Sequence, residues 1–134
     1  MNWQAAEEEI RKLSKLISNQ PRILVGISRG GLVPVRLLSN FLAVPTIYCL
    51  TVDKKESNRT VRTKINTNLA GQRVLLVEDV LETGRSLLAA AEYLNTLDAK
   101  VETAAIYKAK NSEVKPDYYI AAIDKIPYFP WDTS

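Results

Sequence analysis

Two carboxylates and a hydroxylated glycine loop lie close together near the middle of the chain. Glu78 and Asp79 follow an apolar run, 74–77, that is rich in valine and has the length of a buried strand. Ligands of open α/β sheets bind where the strands end, so the carboxylate pair could contact one there. Carboxylates only accept hydrogen bonds and bind hard cations, so they suit the vicinal hydroxyls of a sugar, directly or beside a divalent metal ion.

The segment 83–86, which follows the carboxylates, can bind a phosphate group. Its sequence, Thr-Gly-Arg-Ser, leads into leucines and alanines at helical spacing, so we predict that it opens a helix. The first turn of a helix offers unpaired N–H groups and the positive end of the helix dipole. Gly84 lets the backbone approach an anion closely, and Thr83 and Ser86 add hydroxyl donors. Together with the carboxylates, this segment predicts a site for a phosphorylated sugar.

The same order of strand, glycine loop and helix occurs earlier in the chain. The apolar run 23–27 leads into Ser28, Arg29, Gly30 and a second glycine, before a helix with Pro34 near its start. The adjacent glycines expose backbone N–H groups, and Arg29 supplies a charge that pairs bidentately with phosphate. We therefore predict a second anion-binding loop.

Composition limits the chemistry that this protein can use. The chain has 134 residues, of which 46% are hydrophobic and 25% charged, as in an ordinary globular domain. It has no histidine and a single cysteine, Cys49, which excludes an internal disulfide, a Cys/His zinc site and a histidine base. Cys49 lies in an apolar run and is predicted to be buried. A metal ion would have to be a hard one bound by oxygen, for which Mg²⁺ is the natural candidate.

Charge and hydropathy indicate where the protein works. No apolar run approaches the ~20 residues of a membrane-spanning helix. The N-terminal segment 1–9 is acidic and amphipathic, unlike a signal peptide, so we expect a cytoplasmic protein without a membrane segment. The net charge of 18 − 15 = +3 is too small to argue for a nucleic-acid partner by itself.

The remaining segments predict the elements that position these residues. Strand-like and helical patterns alternate, which predicts an α/β fold: one domain, 1–134, with a largely parallel central sheet flanked by helices. Apolar residues three and four positions apart predict an N-terminal helix within 1–20, capped by Asn2 and ended by Pro21. The tail, 124–134, has two prolines and three aromatic residues and predicts an irregular cover.

Segment 53–64 carries five basic and two acidic residues, a charge of +3. It has few apolar residues and no clean periodicity, which favours a mobile, solvated loop or a hairpin. The alternative is a lid that closes over the substrate and excludes water. Which lysine or arginine would act in such a lid is left open by the sequence.

The stretch from Val74 to Leu87 resembles the signature of type I phosphoribosyltransferases. The run from Ser28 to Pro34 resembles the branch of bacterial and archaeal enzymes that act on 6-oxopurines, and the resemblance extends over 23–132. It implies the single-domain type I phosphoribosyltransferase-like fold with a small C-terminal hood. It also implies a purine-salvage transferase, which transfers phosphoribosyl from 5-phosphoribosyl 1-pyrophosphate (PRPP) to a 6-oxopurine base and releases a nucleoside monophosphate and pyrophosphate.

The resemblance implies roles for individual residues. The ribose and 5-phosphate would be bound by seven residues: Glu78, Asp79, Glu82, Thr83, Gly84, Arg85 and Ser86. The pyrophosphate would be bound by Ser28, Arg29 and Gly30, with a cis peptide expected between the first two. Catalysis would involve Arg29 and Glu82, the latter close to the purine N7. Mg²⁺ would be bound by Glu78, Asp79 and Asp132.

The base would be recognised by Lys108, which in such enzymes donates to the purine O6. An aromatic residue usual in the tail is replaced by Ile126, so stacking on the base is weaker or shifts to Tyr128. Trp131 would either contribute to this hood or simply pack in the core. The sequence leaves open which 6-oxopurine is used. The resemblance also implies a homodimer or higher homo-oligomer, for which the helix that begins at Pro34 is a plausible interface that the sequence itself does not show.

Two other functions compete with this one. The first is a non-catalytic regulator that senses PRPP and binds nucleic acid or protein, with which the basic segment 53–64 is compatible. Five basic residues without interleaved aromatics are a weak nucleic-acid signature, and Lys108 and Glu82 favour catalysis because a sensor needs neither. The second, a Rossmann dinucleotide-binding domain, fails because no G-x-G-x-x-G follows a strand.

Overall fold

Residues 1–132 are described by the structure, a computed structural model, and they form three helices and six strands. In chain order these are α1 (Trp3–Leu16), β1 (Ile23–Ser28), α2 (Leu32–Leu42), β2 (Ile47–Lys55), β3 (Asn58–Val61), β4 (Arg73–Leu81), α3 (Arg85–Thr96), β5 (Lys100–Ala109) and β6 (Ala121–Ile123). The strands make one sheet in the order β3-β2-β1-β4-β5-β6.

Every strand pair in the sheet is parallel except β2 and β3, which form an antiparallel hairpin. β1 and β4 lie side by side at the centre, and the register pairs Gly26 with Val77. Because both strands run in the same direction, the loops that follow them leave the sheet at the same edge. The predicted α/β fold with a largely parallel sheet is confirmed, and the two predicted anion-binding loops are neighbours.

The helices cover both faces of the sheet. On one face, α1 and α2 pack over a core that includes Leu13, Leu38 and Leu75. On the other face, α3 packs over a second core that includes Leu76, Leu87 and Leu94. Leu75 and Leu76 are neighbours on β4 and point into different cores, which explains why this strand is apolar without alternation.

The N-terminal helix begins as predicted, with the Asn2 side chain accepting from the Ala5 N–H at 2.8 Å. It ends at Leu16, four residues before the end of the predicted segment 1–20. The expected apolar face is buried at Ala6, Ile10 and Leu13. Trp3, at the start of the same face, stays 56% exposed because it extends beyond the sheet onto the C-terminal tail.

The prediction that Cys49 is buried is wrong, because its side chain is exposed. β2 lies one strand from the edge of the sheet, and Leu50 is its one fully buried residue. Since successive side chains of a strand point to opposite faces, Cys49 lies on the side that Leu50 does not use. An apolar run in a strand near an edge does not guarantee burial on both faces.

The basic segment 53–64 is a hairpin for most of its length, which was one of the two predicted forms. Lys54 of β2 pairs with Arg59 of β3, and the turn lies at 56–57. The tail contains no helix or strand between Asp124 and Asp132, as predicted, and its last two residues, 133 and 134, lie outside the described residues. None of the helices within 1–132 is both long enough and apolar enough to cross a bilayer.

Candidate functional site

A cleft of about 330 Å³ opens at the edge of the sheet where β1 and β4 end. The loop after β1 forms one wall and the segment from β4 into α3 forms the other. The hairpin and the tail contribute the remaining sides. Twelve of the predicted site residues line this cleft: Ser28, Arg29, Gly30, Glu78, Asp79, Glu82, Thr83, Gly84, Arg85, Ser86, Ile126 and Asp132.

The loop after β1 lies directly against the carboxylate pair. A Cβ atom at Gly30 would be 2.6 Å from both carboxylate oxygens of Asp79, so only glycine allows this approach. The peptide bond between Ser28 and Arg29 is cis, as the resemblance implied. The Ser28 hydroxyl lies 2.9 Å from the Thr51 hydroxyl of β2, and the Arg29 side chain is exposed.

The loop 83–86 forms the N-terminus of α3, as predicted. Gly84 is the residue before the helix and has a φ of +86°, a conformation that favours glycine. The Thr83 hydroxyl accepts from the Arg85 N–H at 3.2 Å, and the Thr83 carbonyl accepts from the Glu113 N–H at 3.0 Å. The first turn of α3 therefore presents its N–H groups to the cleft. The two hydrogen bonds that Thr83 accepts hold the preceding loop in place.

The Arg85 side chain does not contribute its charge to this loop. Its Nε and Nη2 donate to the two carboxylate oxygens of Glu113 at 3.2 and 2.7 Å. This contact lowers the pKa of Glu113 and raises that of Arg85. Within the loop, Arg85 thus offers its backbone, while its guanidinium joins the loop to the segment after β5.

Glu78 and Asp79 line the cleft, where Glu78 is half-buried and Asp79 is buried. Asp79 is 8% exposed, and its Oδ1 and Oδ2 accept from the Val80 N–H at 2.7 Å and the Trp131 Nε1 at 3.0 Å. Burial, together with the neighbouring Asp79 charge, raises the pKa of Glu78 well above its usual range. Burial also raises the pKa of Asp79, although the donors from Trp131 and Val80 act against it. Because both carboxylates line the cleft, they can accept hydrogen bonds from the hydroxyls of a ligand or bind a cation.

The predicted Mg²⁺ ligands do not form a complete protein site. Among residues 1–132, no three acidic, histidine or cysteine side chains come together as a metal-binding group. The Asp132 carboxylate already accepts from the Phe129 N–H at 3.0 Å, although its charge is close enough to raise the pKa of Asp79. Mg²⁺ usually binds proteins through one or two carboxylates and takes its other ligands from substrate phosphates and water. The donors present fit that kind of site.

The predicted base-binding residues are only partly brought together. Glu82 is exposed and lines the cleft, and Ile126 lines it with 36% of its surface exposed. Lys108 lies beside Leu81 in the sheet, and its Nζ donates to the Ala109 carbonyl at 3.1 Å, outside the cleft lining. Tyr128 also lies outside the lining and is 62% exposed, because its neighbour Phe129 is the residue that enters the core.

Three cleft contacts were not identified from the sequence. Lys54 and Arg59 line the cleft from the hairpin, and they are paired in register. Side chains alternate along a strand, so Val52 and Lys54 lie on the same face of β2 and both line the cleft. This alternation indicates Lys54 only when β2 is known to extend beyond Val52. The third contact is the hydrogen bond from Trp131 to Asp79, whose partners are 52 residues apart. No local pattern in the sequence indicates it.

The chain is similar to known proteins in sequence and in fold. The chain is 27% identical to the xanthine-guanine phosphoribosyltransferase of Cereibacter sphaeroides, with 100% of the chain and 86% of the relative covered. A purine phosphoribosyltransferase structure from Pyrococcus horikoshii superposes with a TM-score of 0.91 at 29% identity, covering 100% and 93% of the two chains. The Helicobacter pylori xanthine-guanine-hypoxanthine phosphoribosyltransferase has the same fold, with a TM-score of 0.83 at 21% identity and 98% and 90% covered.

The family assignment covers the whole sequence. Residues 1–134 match the family described as the phosphoribosyl transferase domain. The match includes both anion-binding loops and the carboxylate pair between them. This chain therefore belongs to the phosphoribosyltransferase family.

Proposed function

We propose that this protein is a purine phosphoribosyltransferase that uses PRPP and a 6-oxopurine base. One observation supports the proposal: the two glycine loops that we predict to bind anions line one cleft together with the carboxylate pair, with Gly30 against Asp79. PRPP has the matching chemistry, because its 5-phosphate and its pyrophosphate flank a ribose with vicinal hydroxyls. The names of the relatives support a purine base as the acceptor.

The 5-phosphate binds at the N-terminus of α3, where the backbone N–H groups and the Thr83 and Ser86 hydroxyls donate to it. Glu78 and Asp79 accept from the ribose hydroxyls. The pyrophosphate binds at Ser28, Arg29 and Gly30. Holding the donor at both ends and the middle fixes C1 of the ribose for attack.

In the reaction, a ring nitrogen of the purine forms a bond to C1 while the bond from C1 to the pyrophosphate oxygen breaks. Positive charge develops on the ribose ring, and the pyrophosphate leaves with the electron pair. Arg29 stabilises the leaving pyrophosphate, since a guanidinium pairs bidentately with phosphate oxygens. Glu82 accepts the proton that the purine loses, either directly or through water.

The carboxylates of this site fit Mg²⁺, which takes its other ligands from phosphates and water. Glu78 and Asp79 would hold it, with Asp132 reaching it through water. When bound, it would neutralise charge on the pyrophosphate. The protein residues bind and orient the donor, and the low exposure of Asp79 limits competing water at that carboxylate.

The base occupies the side of the cleft near Glu82 and Ile126 in this proposal. Ile126 offers an aliphatic surface in place of an aromatic ring, so we expect weaker stacking on the base. Lys108 would have to release the Ala109 carbonyl to reach a purine O6. The location in the cytoplasm, the homodimer and the absence of a nucleic-acid partner stay predictions from the sequence.

The hairpin supplies two cations to the pyrophosphate side of the cleft. We expect Lys54→Ala and Arg59→Ala each to raise the KM for PRPP about tenfold, because each removes a charge-assisted contact to phosphate. The Nη1 of Arg59 donates to the carbonyls of Glu56 and Asn58 in the turn at 3.2 and 3.1 Å, and its Nε is buried without a partner among residues 1–132. Initial rates at varied PRPP concentration measure the effect.

Lys55 provides the matched control for this prediction. It is the next residue on β2, is exposed, and lies outside the cleft lining. Lys55→Ala should leave the KM for PRPP unchanged. An equal increase in all three variants would mean that the hairpin acts only through its net charge, and it would contradict the specific assignment.

Pyrophosphate release tests the proposed function. Mg²⁺ and PRPP are supplied with hypoxanthine, guanine, xanthine, adenine, uracil or orotate in separate reactions. We expect turnover of at least one 6-oxopurine and a loss of about tenfold or more in kcat/KM for that base in Lys108→Ala, because a hydrogen bond to O6 is removed. PRPP binding without turnover of any base would contradict catalysis and favour the non-catalytic regulator.

A further inference from the structure

A stack of four aromatic rings connects the N-terminal helix to the floor of the cleft. Phe129 lies between Tyr107 of β5 and Trp131, with ring centroids 6.2 and 4.7 Å apart and nearly parallel planes. Trp3 of α1 packs on Trp131 with centroids 6.0 Å apart and planes tilted by 54°. Phe129 is 1% exposed, so the stack is anchored in the core that α1 and α2 cover.

Polar contacts fix this stack at both ends. The Tyr107 hydroxyl donates to the Glu9 carboxylate of α1 at 2.6 Å. The backbone amine of Met1 donates to the Tyr128 carbonyl at 3.1 Å. In the tail, Asp132 closes a tight turn, since its N–H donates to the Phe129 carbonyl and its carboxylate accepts from the Phe129 N–H. The Trp131 ring is therefore held in one position by α1, β5 and its own turn.

The polar edge of Trp131 points at the carboxylate pair. Its Nε1 donates to Asp79 Oδ2 at 3.0 Å, while the Val80 N–H holds Oδ1 at 2.7 Å. A carboxylate with a donor on each oxygen cannot rotate without losing one of them. Each oxygen keeps a second lone pair for a ligand, because a carboxylate has about four acceptor positions.

We propose that Trp131 is a positioning residue for the phosphoribosyl site: its indole N–H fixes the Asp79 carboxylate in the orientation that meets the ribose hydroxyls of PRPP. Trp3 packs on the Trp131 ring and Glu9 accepts from Tyr107, but within residues 1–132 neither of them makes a hydrogen bond to Asp79. This inference deepens the proposed function and rests on the assignment of Asp79 to the ribose. A plain packing role would need the Trp131 ring but not its N–H group, and that difference makes the two roles separable.

The sharpest variant replaces Trp131 with 3-benzothienylalanine by site-specific incorporation. This analogue keeps the shape of the ring and carries sulfur in place of the N–H. We expect the KM for PRPP to rise about tenfold with the KM for the base unchanged, because a hydrogen bond to a charged carboxylate is lost. The same replacement at Trp3 is the control and should change neither constant, since Asp79 accepts from Trp131. An unchanged KM for PRPP in the Trp131 analogue would overturn the inference.

A second measurement needs no turnover. The chain has two tryptophans, so ¹⁵N NMR of the unsubstituted protein gives two indole N–H signals, assigned with Trp3→Phe. We expect the Trp131 signal to exchange slowly with water, to move in Asp79→Asn, and to move again when ribose 5-phosphate is added. A Trp131 signal that responds to neither change would overturn the inference.

The two experiments separate this inference from the proposed function. If no base is turned over but ribose 5-phosphate binds more weakly to the Trp131 analogue than to the unsubstituted protein, the catalytic proposal fails and the positioning role stands. If bases are turned over and the KM for PRPP is the same in the Trp131 analogue and the unsubstituted protein, the catalytic proposal stands and the positioning role fails.

Discussion

Glu78→Gln should slow phosphoribosyl transfer on the order of 10²- to 10³-fold and at the same time stabilise the ligand-free protein. The loss of activity follows from the position of Glu78 in the carboxylate pair at the floor of the cleft, where it accepts from ribose hydroxyls in the proposed complex. Removing one charge from a preorganised site costs on the order of 10²- to 10³-fold in kcat/KM. Initial rates with saturating base and varied PRPP measure it.

The gain in stability follows from the raised pKa of Glu78. Between the pKa of an unfolded glutamate and that of Glu78 in the folded protein, the folded state binds more protons, so stability falls as pH rises. Glutamine cannot ionise and escapes this loss. We expect the free energy of unfolding to increase by about 1 kcal/mol at pH 7, which corresponds to roughly 3 °C in Tm. Gains of this size are common when a residue that is retained for activity at the expense of stability is replaced. The gain should disappear below about pH 4, where an unfolded glutamate is protonated as well.

Thermal unfolding in EDTA without PRPP, recorded at pH 4 and pH 7, tests this second part. Glu92→Gln, at an exposed position of α3, is the control and should not change Tm at either pH. A Glu78→Gln protein that is less stable than the unsubstituted protein at pH 7 would show that the carboxylate stabilises the fold, and the account of the buried pair would be wrong.

Gly84→Ala should lower kcat/KM by about 100-fold, because a 1 Å displacement in a positioned site has an effect of this size. Gly84 has a φ of +86°, and an added Cβ would lie 2.5 Å from the Cβ of Val114. The backbone must move away from that neighbour, and the N–H groups that we propose to bind the 5-phosphate move with it. Most of the loss in kcat/KM should come from a higher KM for PRPP.

A Gly71→Ala variant distinguishes the effect of backbone strain from the effect of the collision with Val114. It also has a positive φ, +71°, but an added Cβ there meets nothing within 4 Å. Gly71→Ala should therefore cost about 1 kcal/mol of stability from the left-handed conformation and leave kcat/KM unchanged. Replacing Val114 by glycine in the Gly84→Ala protein removes the colliding atoms and should restore part of the activity. Equal kinetic losses in the two single variants would contradict the collision.

Sequence reasoning identified the parts of the site that lie in local patterns. Glu78 and Asp79 end an apolar strand, and Gly84 opens a helix, so their chemistry and spacing are visible in fourteen consecutive residues. The contact between Gly30 and Asp79 was not predicted; it arises because β1 and β4 are parallel neighbours, so that the segments that follow them meet at the same edge of the sheet.

Other features could not be predicted because they depend on contacts between distant segments. Arg85 was expected to contribute to phosphate binding, but its guanidinium is paired with Glu113, 28 residues away. Trp131 meets Asp79 only because the tail folds back over the core. Cys49 was misjudged for a related reason, since its exposure depends on how near β2 lies to the edge of the sheet.

The most direct test of the central claim is ³¹P NMR of a reaction that contains the protein, Mg²⁺, PRPP and a single 6-oxopurine. We expect the signals of PRPP to decline while those of free pyrophosphate and a nucleoside 5′-monophosphate rise in a 2:1 intensity ratio, because the two products form in equal amounts and pyrophosphate has two phosphorus atoms, and we expect Glu78→Gln to slow this conversion on the order of 10²- to 10³-fold. PRPP signals that shift on binding but never convert, with hypoxanthine, guanine and xanthine each tried, would contradict it. The cleft would then be a binding site without transfer.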